Sequence, residues 1–148
     1  KTAPGLRVFD KWAVRLGGGQ NHRFGLYDMI LIKDNHIQVA GSLTEAGNRV
    51  RKCFGQKKFI EIEVKNLTEL QEALALKVQR IMLDNMSLEN IRQAVRITAG
   101  RIPLEVSGNV TLDNIADIAR CGVQYISSGT LTHSVKALDI SLLLTGTK

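Results

Sequence analysis

Residues 17–36 read GGGQNHRFGLYDMILIKDNH, and this stretch decides the fold. Met29, Ile30, Leu31 and Ile32 form a continuous apolar run without alternation, which predicts a strand covered on both faces, as in a parallel sheet. Lys33, Asp34, Asn35 and His36 follow at once. In parallel α/β folds the chemistry sits at the carboxyl ends of the strands, so four polar residues there, with His22 and Arg23 upstream, are candidate site residues. Gly17, Gly18 and Gly19 can take conformations closed to other residues and bring main-chain N–H groups to an anion. They equally suit a plain loop after a helix, and without a GKS or GxGxxG context the spacing does not choose.

Upstream, Pro4-Gly5 marks a turn, and Val8, Phe9, Trp12, Ala13 and Leu16 have the spacing of one helix face, predicting a helix over 8–16. Downstream, short apolar runs end in polar residues at Lys33, near Glu63 to Lys65, at Asp84, at Ser107 and at Ser128. Amphipathic stretches lie between them over 43–54, 67–77, 88–98 and 112–120, each preceded by an N-cap candidate: Ser42, Asn66, Ser87 and Thr111. This is a βα repeat. Five such strands with right-handed crossovers make a parallel α/β sheet, open or curled into most of a barrel.

The chain has 148 residues, 44% of them hydrophobic and two of them proline, enough for one sizeable core and a single domain over 1–148. No apolar run approaches a membrane span and no signal-peptide core opens the chain, so the expectation is a cytoplasmic protein. Cys53 and Cys121 stand far apart in helical contexts, as reduced thiols and not as a disulfide or metal pair. The net charge of +6 admits an acidic partner, a nucleic acid or a phosphorylated small molecule. Scattered basic residues and 5% aromatic content make a nucleic-acid surface the weaker of the two.

In Phe59–Val64, Glu61 and Glu63 share one face and Ile60, Ile62 and Val64 the other. Inside a barrel two carboxylates need cations, which Lys33 and Lys65 offer at the same rim. Glu61 reads as a deeper structural ion pair, Glu63 as a functional acid, and Asp84, directly after Ile81-Met82-Leu83, as a better functional candidate than either. The last two strand exits, Ser107-Gly108-Asn109 and Ser128-Gly129-Thr130, are small and polar. Two such consecutive loops late in a βα barrel suit a phosphate cup. His133 could lie beside it. The tail, 137–144, reads as an apolar closing element.

KTAPGLR, GGGQNHRFGLYDMILIKDNH, EIEV, MLDN, SGNVTLDNI and SSGTLTHSVKALDISL, in this order, resemble the carboxyl-terminal catalytic domain of quinolinate phosphoribosyltransferases, over nearly the whole chain. The resemblance implies an incomplete TIM-like βα barrel, preceded by an amino-terminal domain and the start of the barrel. It implies transfer of the phosphoribosyl group of phosphoribosyl pyrophosphate to quinolinate, with release of carbon dioxide and pyrophosphate, usually with Mg2+. It also implies a dimer or higher homo-oligomer in which a neighbouring subunit completes each site. By resemblance, His22, Arg23 and Lys33 hold the quinolinate carboxylates, and Lys1 lies near both substrates. Glu63 and Asp84 hold the ribose and magnesium. Ser107, Gly108, Asn109, Ser128, Gly129 and Thr130 hold the 5'-phosphate, although Asn109 stands where the family more often has glycine. A molybdenum-transport paralogue would share the barrel, and a barrel aldolase would use Lys33 or Lys65 as a Schiff-base nucleophile, which requires a desolvated lysine.

Overall fold

The computed structural model describes residues 1–55 and 57–146. In chain order the elements are α1 (Arg7–Leu16), β1 (Ile30–Ile32), α2 (Asp34–Ala40), α3 (Leu43–Phe54), β2 (Ile60–Val64), α4 (Leu67–Ala75), β3 (Arg80–Asp84), α5 (Leu88–Thr98), β4 (Leu104–Ser107), α6 (Ile115–Arg120) and β5 (Tyr125–Ile126), followed by a 3-10 turn at Gly129–Leu131. They fall into two compact units, residues 20–128 and residues 1–19 together with those from 129 onward. The first unit holds the sheet. Its five strands pair in parallel in the order β1-β2-β3-β4-β5, an open sheet built from the βα repeat the sequence predicts.

The sheet has two unlike faces, because side chains alternate along each strand and register partners share a face. Ile62 pairs with Ile81, which pairs with Leu104, and Val64 pairs with Leu83, which pairs with Val106. This apolar face packs under helices α3 to α6, contacting Leu43, Ala46, Leu70, Ala73, Ile91, Ala94 and Ile118 in one buried core. On the opposite face Glu61 pairs with Arg80, Glu63 with Met82, Met82 with Glu105, and Asp84 with Ser107. The expectation that β1 is covered on both faces meets Leu31 and Ile32 buried, with Ile30 half-buried. Continuous apolar runs in β1 and β3 conceal an alternation that the partner strands display.

Three helices start where their caps predict: Ser42, Asn66 and Ser87 each accept the backbone N–H three residues on, satisfying one of the donors a helix start leaves open. The fourth differs. Asn114, not Thr111, precedes α6, and its side chain accepts from the Thr111 N–H, so residues 112–114 form a turn ahead of the helix. Helix α2 was not foreseen, since its seven residues begin inside the polar quartet.

In the other unit, α1 forms as its periodicity predicts, yet Val8, Phe9, Trp12 and Leu16 are all exposed. The glycine run closes this helix: the N–H groups of Gly17, Gly18 and Gly19 donate to the carbonyls of Ala13, Arg15 and Val14, and Gly18 takes the left-handed conformation at φ +83°. These donors serve the helix end and not an anion. Thr130 sits in the 3-10 turn, the Thr132 hydroxyl donates to the Lys1 carbonyl, and His133 Nδ1 lies 3.2 Å from Ser134 Oγ. The tail corrects an expectation. Leu138, Ile140, Leu142, Leu143 and Leu144 are each more than 80% exposed and belong to no helix or strand, so the segment closes no core among the described residues.

Candidate functional site

The polar face of the sheet gathers most of the sequence-predicted residues of the larger unit. Glu63, buried at 9% exposure, accepts from Lys33 Nζ at 2.9 Å across the β1–β2 pair. Lys65 instead meets Asp34 at 3.3 Å on an exposed surface. Of the quartet 33–36, only Lys33 reaches the face. Asp34, the first residue of α2, accepts from Asn35 N–H at 2.8 Å, and His36 Nδ1 accepts from Lys33 N–H at 2.9 Å. The Asn35 N–H, and then Lys65, hold the Asp34 carboxyl below its ordinary value. Neither lysine is desolvated, with side chains 46% and 51% exposed and each paired to a carboxylate. That is a poor setting for a Schiff-base nucleophile.

Arg23 is held by its own loop: Nη1 donates to the Met29 carbonyl at 3.3 Å, while Asp28 accepts from the N–H groups of Phe24 and Gly25. The Gly25 N–H is the main cause that lowers the Asp28 carboxyl. The turn thus presents Arg23 at the entry of β1 and Lys33 at its exit.

Deeper on the same face lies a network that the sequence reading found only in part. His22 Nε2 is 2.8 Å from Glu61 Oε2 and 3.7 Å from Glu105 Oε1. Arg80 bonds Glu105 through Nη1 and places Nε 3.5 Å from Glu61 Oε1. Ser127 donates to Glu105, and the guanidinium lies 4.6 Å from the Tyr125 ring centroid and 5.2 Å from that of Phe59, a planar cation among aromatic rings. Glu61 is therefore the deep ion pair expected, but with Arg80 and His22 and not with a rim lysine. Arg80, Glu105 and Ser127 were missed. Counting back by twos from Asp84 and Ser107 would have placed Arg80 and Glu105 on the polar face.

Burial, and then the neighbouring Glu61, push the Glu105 carboxyl above its ordinary value. A carboxyl raised in the folded state binds more protons there than when unfolded, so its contribution to stability falls as pH rises from the unfolded value through the folded one. Glu105→Gln is expected to remove that part of the pH dependence, read as a flatter plot of melting temperature against pH above about 4.5.

Two sets of groups could meet a cation. One ligand atom each from His22, Glu61 and Glu105 lies within 4.8 Å of the others, but the Arg80 guanidinium already faces both carboxylates and supplies that charge. Glu63 and Asp84 offer only oxygen donors on one face, and Asp84 is half-buried at a strand exit, the donor chemistry and open setting that magnesium favours.

At the strand exits, Asn85 Nδ2 donates to Asp84 Oδ2 at 3.0 Å, and Asn109 Nδ2 donates to Asn85 Oδ1 at 2.9 Å. Gly108, at φ +89°, has no room for a side chain because a Cβ there would run into the Asn85 amide. The loop after β4 thus braces Asp84, and a cavity of about 150 Å³ opens against Asn85, Gly108 and Asn109. Ser107 ends β4, and Ser128 donates its hydroxyl to the Val110 carbonyl at 3.3 Å. Lys1, Gly129 and Thr130 belong to the other unit.

The chain matches the family described as quinolinate phosphoribosyl transferase, C-terminal domain, over residues 1–143. It is 50% identical, over 96% of its length and 46% of the relative's, to a chloroplastic carboxylating nicotinate-nucleotide pyrophosphorylase of Arabidopsis thaliana. It is 48% identical to a probable carboxylating nicotinate-nucleotide pyrophosphorylase of Bacillus subtilis, over 98% of this chain and 50% of that one. Among solved structures, NadC from Streptococcus pyogenes superimposes with a TM-score of 0.88 at 49% identity, covering 93% of this chain and 48% of that one. The chain spans about half the length of the curated relatives it matches.

Proposed function

Because the chain belongs to the family of quinolinate phosphoribosyl transferase C-terminal domains, we propose that it carries the catalytic barrel of an enzyme that joins quinolinate to phosphoribosyl pyrophosphate. The products are nicotinate mononucleotide, pyrophosphate and carbon dioxide, a step of NAD biosynthesis. The observation that carries this reading is the division of one sheet face. His22, Arg23 and Lys33 bracket β1, two of them anchored on Glu61 and Glu63 at 2.8 and 2.9 Å, while Asp84 leaves β3 half-buried beside them.

Such a face suits a dianionic pyridine along β1 and a developing sugar cation beside Glu63 and Asp84. Arg23 grips a carboxylate through two parallel N–H bonds and Lys33 adds a point charge. Glu63 and Asp84 favour the positive charge that grows on the anomeric carbon as pyrophosphate departs, and they hold the ribose hydroxyls. Magnesium, for which these two carboxylates have suitable donors, would neutralise the leaving pyrophosphate. Ser107, Gly108, Asn109 and Ser128 serve the 5'-phosphate. A cytoplasmic setting and a homo-oligomer complete the reading, tested by cell fractionation and size-exclusion chromatography of the full-length protein.

Calorimetry with quinolinate and with phosphoribosyl pyrophosphate, each alone, on the full-length protein tests the assignment, and failure to bind quinolinate would remove it. Within it, Arg23→Ala is expected to weaken quinolinate binding by about 1.5–3 kcal/mol, the worth of a hydrogen bond to a charged group, while leaving phosphate binding nearly intact. Equal weakening of both ligands would make Arg23 a general electrostatic residue.

A further inference from the structure

Glu61 is an expensive residue for the fold to keep. It is fully buried, and its Oε1 has no hydrogen-bond partner. The other oxygen, Oε2, meets His22 at 2.8 Å. Arg80 and Glu105 already form a bonded ion pair beside it, so without Glu61 the buried charges would balance. Replacing a buried, incompletely satisfied charge by an apolar residue is commonly neutral or stabilising. Packing therefore gives no reason for a carboxylate here, whereas His22 does: its ring is one-quarter exposed and bridges the buried floor to the open part of the face.

We infer that Glu61 is a positioning residue for the pyridine end of the site, fixing the ring of His22 in one tautomer and one orientation, with the Arg80–Glu105 pair holding Glu61 in turn. A carboxylate can only accept, so the hydrogen sits on Nε2. Glu105, 3.7 Å from the same Nε2, limits rotation from the side of β4, and Arg80 confines Glu61 from β3. A ring held this way loses less freedom when it meets a ligand. The inference rests on the reading of His22 as a quinolinate contact.

The test uses Glu61→Leu and Glu61→Gln in the full-length protein. The imidazole nitrogen resonances of His22 are those that disappear in the spectrum of His22→Gln, which assigns them whatever other histidines the full-length protein holds. Wild type is expected to show the Nε2–H tautomer, and Glu61→Gln, whose amide can accept from or donate to the ring, a single tautomer of either kind. Glu61→Leu is expected to show a mixture of tautomers and to weaken quinolinate binding about tenfold or more, with phosphoribosyl pyrophosphate binding changed less than about twofold and no loss of melting temperature. Charge alone predicts the reverse, because removing an anion beneath a dianion's site should tighten binding. The inference is overturned if Glu61→Leu keeps wild-type quinolinate affinity, if the His22 tautomer is unchanged in it, or if both ligands weaken together with the melting temperature. Failure of the wild type to bind quinolinate would strike the functional assignment, while the tautomer measurement would still decide whether Glu61 holds His22.

Discussion

Asp84→Asn in the full-length enzyme is expected to lower the turnover number about ten- to a thousandfold, on the order of 1.4–4 kcal/mol of barrier, with quinolinate affinity barely changed. The substitution is nearly isosteric, so the Asn85 amide can still find an oxygen at this position and the brace from Asn109 through Asn85 stays in place. On the proposed reading, what is lost is the full negative charge beside the anomeric carbon. An acid with a purely structural role would give another pattern, a lowered melting temperature with a normal chemical step. Single-turnover kinetics with a thermal melt separate the two, and the second pattern would leave Glu63 as the acid of the mechanism.

The other large effect concerns stability. Arg80→Met is expected to destabilise the fold by about 3–5 kcal/mol, because it leaves Glu61 and Glu105 buried together without their cation. In a domain of about 150 residues that lowers the melting temperature by on the order of 10 °C. The deficit should shrink on acidification, since Glu105, already raised by burial and by Glu61, then takes a proton and relieves the repulsion. An Arg80→Met variant that melts like the wild type at neutral pH would show that the two carboxylates do not depend on the guanidinium.

Much of this architecture was legible in the sequence, for reasons that can be located. Strand exits at Asp84 and Ser107 and helix starts at Ser42, Asn66 and Ser87 follow from local rules, a side chain capping a backbone donor or an apolar run ending. The Lys33–Glu63 pair was legible because alternation in β2 put both acids on one face and the charge had to be met. Arg80 and Glu105 were not, because each stands near the start of an apolar strand, where one charged residue looks like a boundary. Their pairing is set by register between β3 and β4, a long-range property. Helix α2 was hidden for the opposite reason: Lys33, Asp34, Asn35 and His36 look like chemistry, and three of them are spent on starting a helix. The tail misled because apolar content predicts burial only where another surface exists to receive it.

The two-faced sheet also sets the rules by which this protein can change. From β2 to β4, whether a position counts as odd or even along its strand decides who feels a mutation: Ile62, Ile81 and Leu83 answer to the helices, and Glu63, Met82 and Asp84 to whatever the open face holds. Ligand preference can thus drift through a handful of alternate positions while the packing beneath is untouched. The same geometry forbids shortcuts, for deleting one residue within β2 or β3 would exchange the two faces, turning carboxylates toward the helices and isoleucines toward the ligand. Length in these strands should therefore be far more tightly held than identity, and a selection should recover no single-residue deletion in β3.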